Sequence, residues 1–441
     1  MTRPTPLSGF PEWLPAQRII EQQVVDRIRE TFELHGFCPL ETRAVEPLDQ
    51  LLRKGDTSKE VYVLRRLQSD AGDPSDSGLG LHFDLTVPFA RYVLEHAGRL
   101  SFPFRRYQIQ KAWRGERPQE GRYREFRQAD IDVVDRDTLP LHHDVEVLLA
   151  AAEALARLPV PPVTIHTNNR KVCEGFYRGL GLTDPAAALR AVDKLDRLGP
   201  DGVTALLAET AGATDKQARA CLALGEISTA DASFVDRVRT LGVSDPLLEE
   251  GLAELVTVVE AAAEHAPGAV VADLSIARGL DYYTGTVYEI MRPGFGLSVG
   301  AGGRYDNLAT AGTDRYPGVG ISIGVSRLLG PLFAQDALAV SRPVPTCVLV
   351  AVPDDTSRPV ADRIAAALRR RSIATEVSPS AAKYGKQIRY AQRRGIPYVW
   401  FPDPGGPGEV KDIRSGEQVP ADPASWTPPP ADLHPTVTSQ S

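Results

Sequence analysis

Two stretches of two-residue alternation, residues 106–114 and 126–134, flank a charged segment broken by Pro118 and Gly121. In the first, Tyr107, Ile109 and Trp113 fall on one side and Arg106, Gln108, Gln110 and Arg114 on the other. In the second, Ala129, Ile131 and Val133 oppose Gln128, Asp130 and Asp132. Period two sends alternate side chains to opposite faces of a strand, and a Gly/Pro loop between two such strands makes a hairpin. A chain carrying this hairpin must build an antiparallel sheet with one polar face. Two carboxylates on that face are costly to bury unless a cation or a hydrogen-bond donor satisfies them, although a solvated sheet edge would show the same alternation. Residues 105–127 carry eight Lys/Arg and three Glu. The loop tip therefore suits polyphosphate or nucleic-acid backbone, and the acidic strand beside it suits a cationic or hydrogen-bond-donating group.

The rest of the chain is that of an ordinary globular protein. Its 441 residues are 42% hydrophobic and 24% charged, which leaves room for about two to four domains. No apolar run approaches the roughly 18 residues of a membrane span, and MTRPTPLSGFPEW at the N-terminus lacks the apolar core of a signal peptide. A cytoplasmic protein with no membrane partner is expected. Cys38, Cys173, Cys221 and Cys347 lie far apart, without CxxC spacing, and read as reduced thiols. His142-His143-Asp144 opens an apolar-periodic run and reads as a helix start with an acid at the positive dipole end, so no metal ligands are assigned. The net charge of −7 argues against bulk nonspecific nucleic-acid binding, yet residues 363–394 hold nine Lys/Arg and the single acid Glu376. Two separated basic regions suit a partner long enough to touch both, although a solvated helix face would also explain the second.

Along the chain, residues 15–35 read as an amphipathic helix with Ile20, Val24, Ile28 and Phe32 on one side. A strand follows at 37–45, then a polar Gly/Ser/Asp loop within 65–80, a short strand at 81–85 and a helix at 87–96 capped by Thr86. After a strand at 163–166, the segment 170–266 is Ala-rich and helical, with breaks at 179–183, 199–202 and 242–245, and it looks inserted between two strand-rich regions. Strands are expected again at 270–276 and 287–291. Beyond a linker at 341–345, strands at 346–352, 375–377 and 398–401 alternate with helices at 360–371 and 386–394 as a small α/β domain. In ARGLDYYTGT (277–286), Arg278 lies near Tyr282 and Tyr283, a fixed cation with phenolic hydrogen-bonding groups. GAGGRYDNL (300–308) allows close backbone approach beside Arg304 and Tyr305. GVGISIGVSR (318–327) lacks the Lys-Ser/Thr of a P-loop and reads as a strand and helix that deliver Arg327.

In combination these segments resemble the histidyl-tRNA synthetases, class II aminoacyl-tRNA synthetases, over about residues 9–419. RGLDYYTGTVYE (278–289) and AGGRYDNL (301–308) are similar to two segments peculiar to that family, and AWRGERPQEGRYREFRQADIDV to its second class-defining motif. KYGKQ (383–387) and VKDIRSGEQ (410–418) resemble its anticodon-binding domain. The resemblance implies an α/β (α+β) chain. Its parts would be an antiparallel-sheet catalytic domain (1–168 and 268–340), a helical insertion (169–267) and an α/β anticodon-binding domain (341–427), while the polar, Pro-rich composition of 428–441 reads as a disordered tail. It further implies a histidine–tRNA ligase that uses ATP with Mg²⁺, takes L-histidine and tRNA(His), and forms a homodimer through residues 15–45.

By the same resemblance, Arg114 and Arg278 would be catalytic at the α-phosphate and Arg327 would meet the γ-phosphate, with Glu116 and Arg124 completing the ATP site. Asp84 and Thr86 would hold the α-ammonium and Gln128 the amino and carboxylate end. Asp132 and Tyr283 would read the imidazole, with Tyr282 and Tyr305 in the same pocket. Arg117, Gln119, Lys383, Lys386 and Arg389 would contact tRNA. Ser326 precedes Arg327 where many members carry Glu. A noncatalytic histidine-sensing relative of the ATP phosphoribosyltransferase regulatory subunit is the alternative, as is a synthetase-like enzyme of a specialised pathway.

Overall fold

In the computed structural model, which describes residues 4–52, 60–67, 78–276, 282–296, 298–403 and 405–439, the two alternating stretches are neighbouring strands. Among the described residues they belong to a nine-stranded sheet. Its members are β1 (Cys38–Pro39), β2 (Phe104–Trp113), β3 (Glu125–Val134), β4 (Thr164–Asn169), β5 (Ser228–Thr229), β6 (Val270–Asp273), β7 (Thr286–Met291), β8 (Ser298–Ala311) and β9 (Asp314–Ile323). The order across the sheet is β1-β2-β3-β9-β8-β7-β4-β6-β5. The β1/β2 and β4/β6 pairs are parallel and the others antiparallel. The register sets Arg106 opposite Asp132, Gln108 opposite Asp130 and Gln110 opposite Gln128. On the other side of β3, Gly320 faces Asp132 and Ser322 faces Asp130.

Several local expectations change. The strand expected at 37–45 is two short pieces, Cys38–Pro39 and Val45–Pro47, since Pro39 has no N–H to extend a ladder. The strand expected at 81–85 lies at Leu79–Leu81, and the helix after it spans Thr86–His96. Its first turn is capped by Asp84 rather than Thr86: the Val87 N–H donates to Asp84 Oδ1 at 3.1 Å. Because that bond fixes the carboxylate, the cap also positions a candidate site residue. Residues 300–308 form the body of β8 rather than an irregular glycine run.

The segment between β4 and β6 is helical apart from the two residues of β5. Helices Arg170–Gly179, Pro185–Val192, Asp215–Gly225 and Pro246–His265 begin behind Asn169, Asp184, Thr214 and Asp245, whose side chains accept backbone N–H groups of the first turn. Gly199, at φ 69°, kinks the helix Leu195–Ala211. A continuous apolar core joins these helices to the sheet through Val172, Phe176, Leu252 and Leu255 with Val134, Ala272, Val287 and Tyr305.

The chain divides into two compact units, one of Met1–Pro11 with Val24–Pro331 and one of Glu12–Gln23 with Leu332–Ser441. The second contains β10 (Val348–Val350), β11 (Thr375–Val377), β12 (Tyr398–Asp403), β13 (Gly406–Asp412) and β14 (Gln418–Pro420), ordered β11-β10-β12-β13-β14. Helices Arg358–Arg370 and Tyr384–Arg394 bury apolar residues against separate clusters of this sheet. The tail from 428, expected to be disordered, is structured through residue 439. Pro430–Leu433 is a short helix, and Val437–Ser439 pairs antiparallel with Leu338–Val340. Arg414 explains part of this, donating to Asp432 at 2.7 Å and to the Tyr398 hydroxyl at 3.0 Å.

Candidate active site

The polar face of β3 forms the floor of a pocket within the first unit. Gln128, Asp130 and Asp132 line it, while Ala129, Ile131 and Val133 are fully buried on the opposite face. The carboxylates are buried too, which excludes a solvated edge. Asp132 is satisfied by a guanidinium with no exposed surface: Arg106 Nη2 lies 2.7 Å from Asp132 Oδ2. Arg106 is held in turn by the Leu85 carbonyl at 3.3 Å and by the Phe89 ring, 4.3 Å from its Cζ. Tyr305 donates its hydroxyl to Asp132 Oδ1 at 2.5 Å. Burial, with the Asp132 charge beside it, pushes the Tyr305 phenol well up and keeps it a donor. Gln128 donates to the Ser322 hydroxyl at 2.6 Å and so takes a fixed orientation.

Asp130 is different. Burial pushes its carboxyl up to about 7, against the pull of Arg106 and with the push of Asp132. Asp130 Oδ1 and Gln128 Oε1 are buried with no hydrogen-bond partner among the described residues.

Close approach of neighbouring strands makes room for these side chains. A Cβ on Gly320 would lie 2.1 Å from Asp132 Oδ1, and one on Gly318 would lie 2.4 Å from the Tyr305 ring. Glycines in GVGIS therefore leave the volume that Asp132 and Tyr305 fill. Tyr282 and Tyr283 pack with ring centroids 4.0 Å apart and planes tilted by 38°, and Arg170 donates to the Tyr283 carbonyl at 3.0 Å. Arg304 anchors the same neighbourhood through a buried ion pair with Asp144 at 2.5 Å and a bond to the Leu139 carbonyl.

The other end of the pocket is cationic. Arg114, Arg122, Tyr123, Phe126 and Arg327 line it near the start of β3. Arg114 donates Nε to the Phe83 carbonyl at 3.0 Å and stacks on Phe126, 5.1 Å from its centroid. Ser326 accepts the Arg127 N–H at 2.9 Å, tying the start of the helix Val325–Ala334 to β3 and setting Arg327 beside it. From Phe126 to Asp132 the strand rises about 20 Å at ~3.3 Å per residue. A ligand lying along it would meet cations at one end and carboxylates at the other.

Asp84, Thr86, Arg114, Glu116, Gln128, Asp132, Tyr282, Tyr283, Tyr305 and Arg327 thus meet in one cavity. Arg124 does not line it, because its Nε is spent on the Glu116 carbonyl at 3.0 Å. Glu116 itself pairs with Arg122 at 3.1 Å. Arg117 and Gln119 lie in the loop between β2 and β3, where Gln119 and Arg122 exchange backbone bonds. Lys383, Lys386 and Arg389 are exposed in the second unit, at and along the helix Tyr384–Arg394. Arg278 falls outside the described residues. Arg106, Asp130 and Arg122 were given no role from sequence. Alternation had put the first two on the polar face, but nothing in the irregular loop singled out Arg122.

Two family models cover the chain: one described as histidyl-tRNA synthetase matches residues 9–328, and one described as an anticodon binding domain matches residues 346–419. The chain is 58% identical over 453 residues to the histidine–tRNA ligase of Micrococcus luteus, and 57% identical over 450 residues to that of Cutibacterium acnes. Both alignments cover 99% of each chain. The crystal structure of histidyl-tRNA synthetase from Nostoc sp. PCC 7120 matches with a TM-score of 0.83 at 33% identity, covering 95% of this chain and 96% of that one.

Proposed function

The chain belongs to the histidyl-tRNA synthetase family and activates histidine with ATP for transfer to tRNA, and we propose that the two small substrates lie end to end along β3. The carrying observation is the polarity of that pocket: buried carboxylates at one end, arginines at the other. Identity above 50% to curated ligases over nearly the whole chain favours a ligase over a noncatalytic histidine sensor.

In this reading Asp84 and Thr86 receive the α-ammonium at the start of the helix Thr86–His96, and Gln128 meets the amino and carboxylate end. Asp132 and Tyr283 read the imidazole, with Tyr282 and Tyr305 closing around it. Asp132, already oriented by Arg106 and Tyr305, retains lone pairs for a ring N–H. A site built to satisfy both ring nitrogens leaves buried groups unpaired when an apolar analogue enters, and so rejects it.

A histidine carboxylate oxygen attacks the α-phosphorus of ATP, and the bond to pyrophosphate breaks. The extra negative charge gathers on the α-phosphate, where Arg114 and Arg278 would stabilise it, with Arg327 at the γ-phosphate. ATP enters as its Mg²⁺ complex. The ion's preference for phosphate oxygen and water is met by the triphosphate, with Glu116 the pocket carboxylate at that end. A terminal ribose hydroxyl of tRNA then attacks the adenylate carbonyl and releases AMP. The loop bearing Arg117 and Gln119 would meet the tRNA end, and Lys383, Lys386 and Arg389 the anticodon region.

We also place the enzyme in the cytoplasm as a homodimer joined through residues 15–45, with residues 169–267 as an insertion in the catalytic domain and 341–427 as the anticodon-binding domain. Among the described residues no helix is long and apolar enough to cross a membrane. Pyrophosphate exchange with each of the twenty amino acids tests the substrate assignment. Exchange should require histidine, and comparable exchange with another amino acid would overturn it.

A further inference from the structure

The pocket holds one more carboxylate than the proposed contacts use. Asp84 caps a helix, and Asp132 is bonded through both oxygens to Arg106 and Tyr305. Asp130 lies between Gln128 and Asp132 on the same face, lines the same cavity, shares a hydrogen bond with the Ser322 side chain, and keeps Oδ1 without a partner among the described residues while only 3% exposed. A buried acceptor left open in this way costs free energy that a bound donor recovers.

Among the described residues, the groups facing Asp130 come from several neighbouring elements. On β2 they are Arg106 and Gln108, on β9 Ser322, on β3 itself Asp132, and from the segment before the helix Thr86–His96 Asp84. Among the described residues, Arg106 is the cation whose charge acts on Asp130, and it is already paired with Asp132. An amino acid brings further positive charge with its ammonium group and an imidazole able to carry a proton.

We propose that Asp130 is a specificity-determining residue for the amino-acid substrate, a carboxyl that gives up its proton when the positively charged substrate occupies the pocket and then accepts a hydrogen bond from it. The proposal rests on the reading that histidine sits along Gln128–Asp132. With its carboxyl pushed up to about 7, Asp130 is mostly neutral at pH 6 and mostly ionised at pH 8. Binding near pH 7 then releases a fraction of a proton.

The test is histidine-dependent pyrophosphate exchange by wild type and Asp130→Asn from pH 6 to pH 8. The ratio of their KM values for histidine cancels the titration of free histidine. It should climb from near one at pH 6 to about tenfold at pH 8, the scale of one charged hydrogen bond, with KM for ATP unchanged. A flat ratio in a folded variant, or parallel changes in kcat and both KM values, would overturn the proposal. Asp132→Asn separates the two readings. If it raises KM for histidine while the Asp130→Asn ratio stays flat, only the role of Asp130 fails; if neither variant moves KM for histidine, the placement of histidine fails with it. Should Asp130→Asn not fold, calorimetry on the wild-type enzyme decides. Histidine binding at pH 7, run in buffers of different ionisation enthalpy, should release protons beyond those carried by free histidine, and no such release would overturn the assignment.

Discussion

Replacing Gly320 with alanine should damage histidine recognition selectively. The added Cβ would stand 2.1 Å from Asp132 Oδ1, 2.5 Å from its Cγ and 2.6 Å from the Ile131 carbonyl oxygen. Carbon–carbon contacts settle at about 3.5–4.0 Å, so the carboxylate must retreat by over about 1 Å. The 2.7 Å pair with Arg106 and the 2.5 Å bond from Tyr305 are then stretched. Removing one partner of a buried ion pair costs about 3–5 kcal/mol. Losing the displaced carboxylate as a charged hydrogen-bond acceptor for the substrate should cost about 1.5–3 kcal/mol, or roughly 10- to 150-fold in KM for histidine. KM for ATP should stay within about twofold, because Gly320 faces Asp132, six residues along β3 from Phe126, on whose ring Arg114 packs. Gly98, with nothing within 4 Å of an added Cβ, gives the control Gly98→Ala, expected to match wild type. A folded Gly320→Ala enzyme with unchanged KM for histidine would refute the argument that Asp132 reads the amino acid from a space only glycine leaves open.

Arg278→His should lower histidine-dependent pyrophosphate exchange by orders of magnitude while leaving the thermal transition nearly unchanged, since imidazole is a poor substitute for guanidinium at a phosphate; near-normal exchange would exclude that role. Combined Lys383→Ala, Lys386→Ala and Arg389→Ala substitutions should spare exchange but weaken tRNA charging, and reduce its salt dependence by roughly 0.7–0.9 per lost phosphate contact. Equal loss of both activities would argue that these exposed cations do not serve tRNA. Arg414→Ala should destabilise the second unit and free its C-terminal segment to protease. Hydrogen bonding from Arg414 holds Asp412 and Asp432 below the usual carboxylate range. Their contribution is therefore complete above the unfolded value near 3.8 and fades as pH falls through the lower folded values. Thermal melts of variant and wild type should differ at pH 7 and draw together as pH falls below 3.8 through the lowered folded values; a gap that persists in acid would rule out charge pairing as its source.

The β2/β3 hairpin was legible because period two survives on both strands, and so were the carboxylates at 128–132 that face the cavity. Register was not. Sequence places Arg106 on a polar face, but its meeting with Asp132 depends on where residues 115–124 turn, which local pattern leaves open. The glycines at 318 and 320 were visible only as part of a strand that delivers Arg327. What they face, Tyr305 and Asp132 on neighbouring strands, exists only after three strands are assembled. Thr86 was read as a cap because it precedes an apolar run, while Asp84, two positions earlier, makes the bond. Polar, Pro-rich composition suggested a disordered tail, since Asp432 gives no local sign of the Arg414 that holds it. Arg124 was matched by motif position, yet its guanidinium turns to a neighbouring carbonyl.

The most direct test of the account is charging of total tRNA by the purified enzyme, with labelled histidine in competition with the other nineteen amino acids unlabelled. The account predicts a stable histidyl label confined to one tRNA species and undiminished by the competitors. Absence of label on tRNA, or its dilution by any other amino acid, would contradict it.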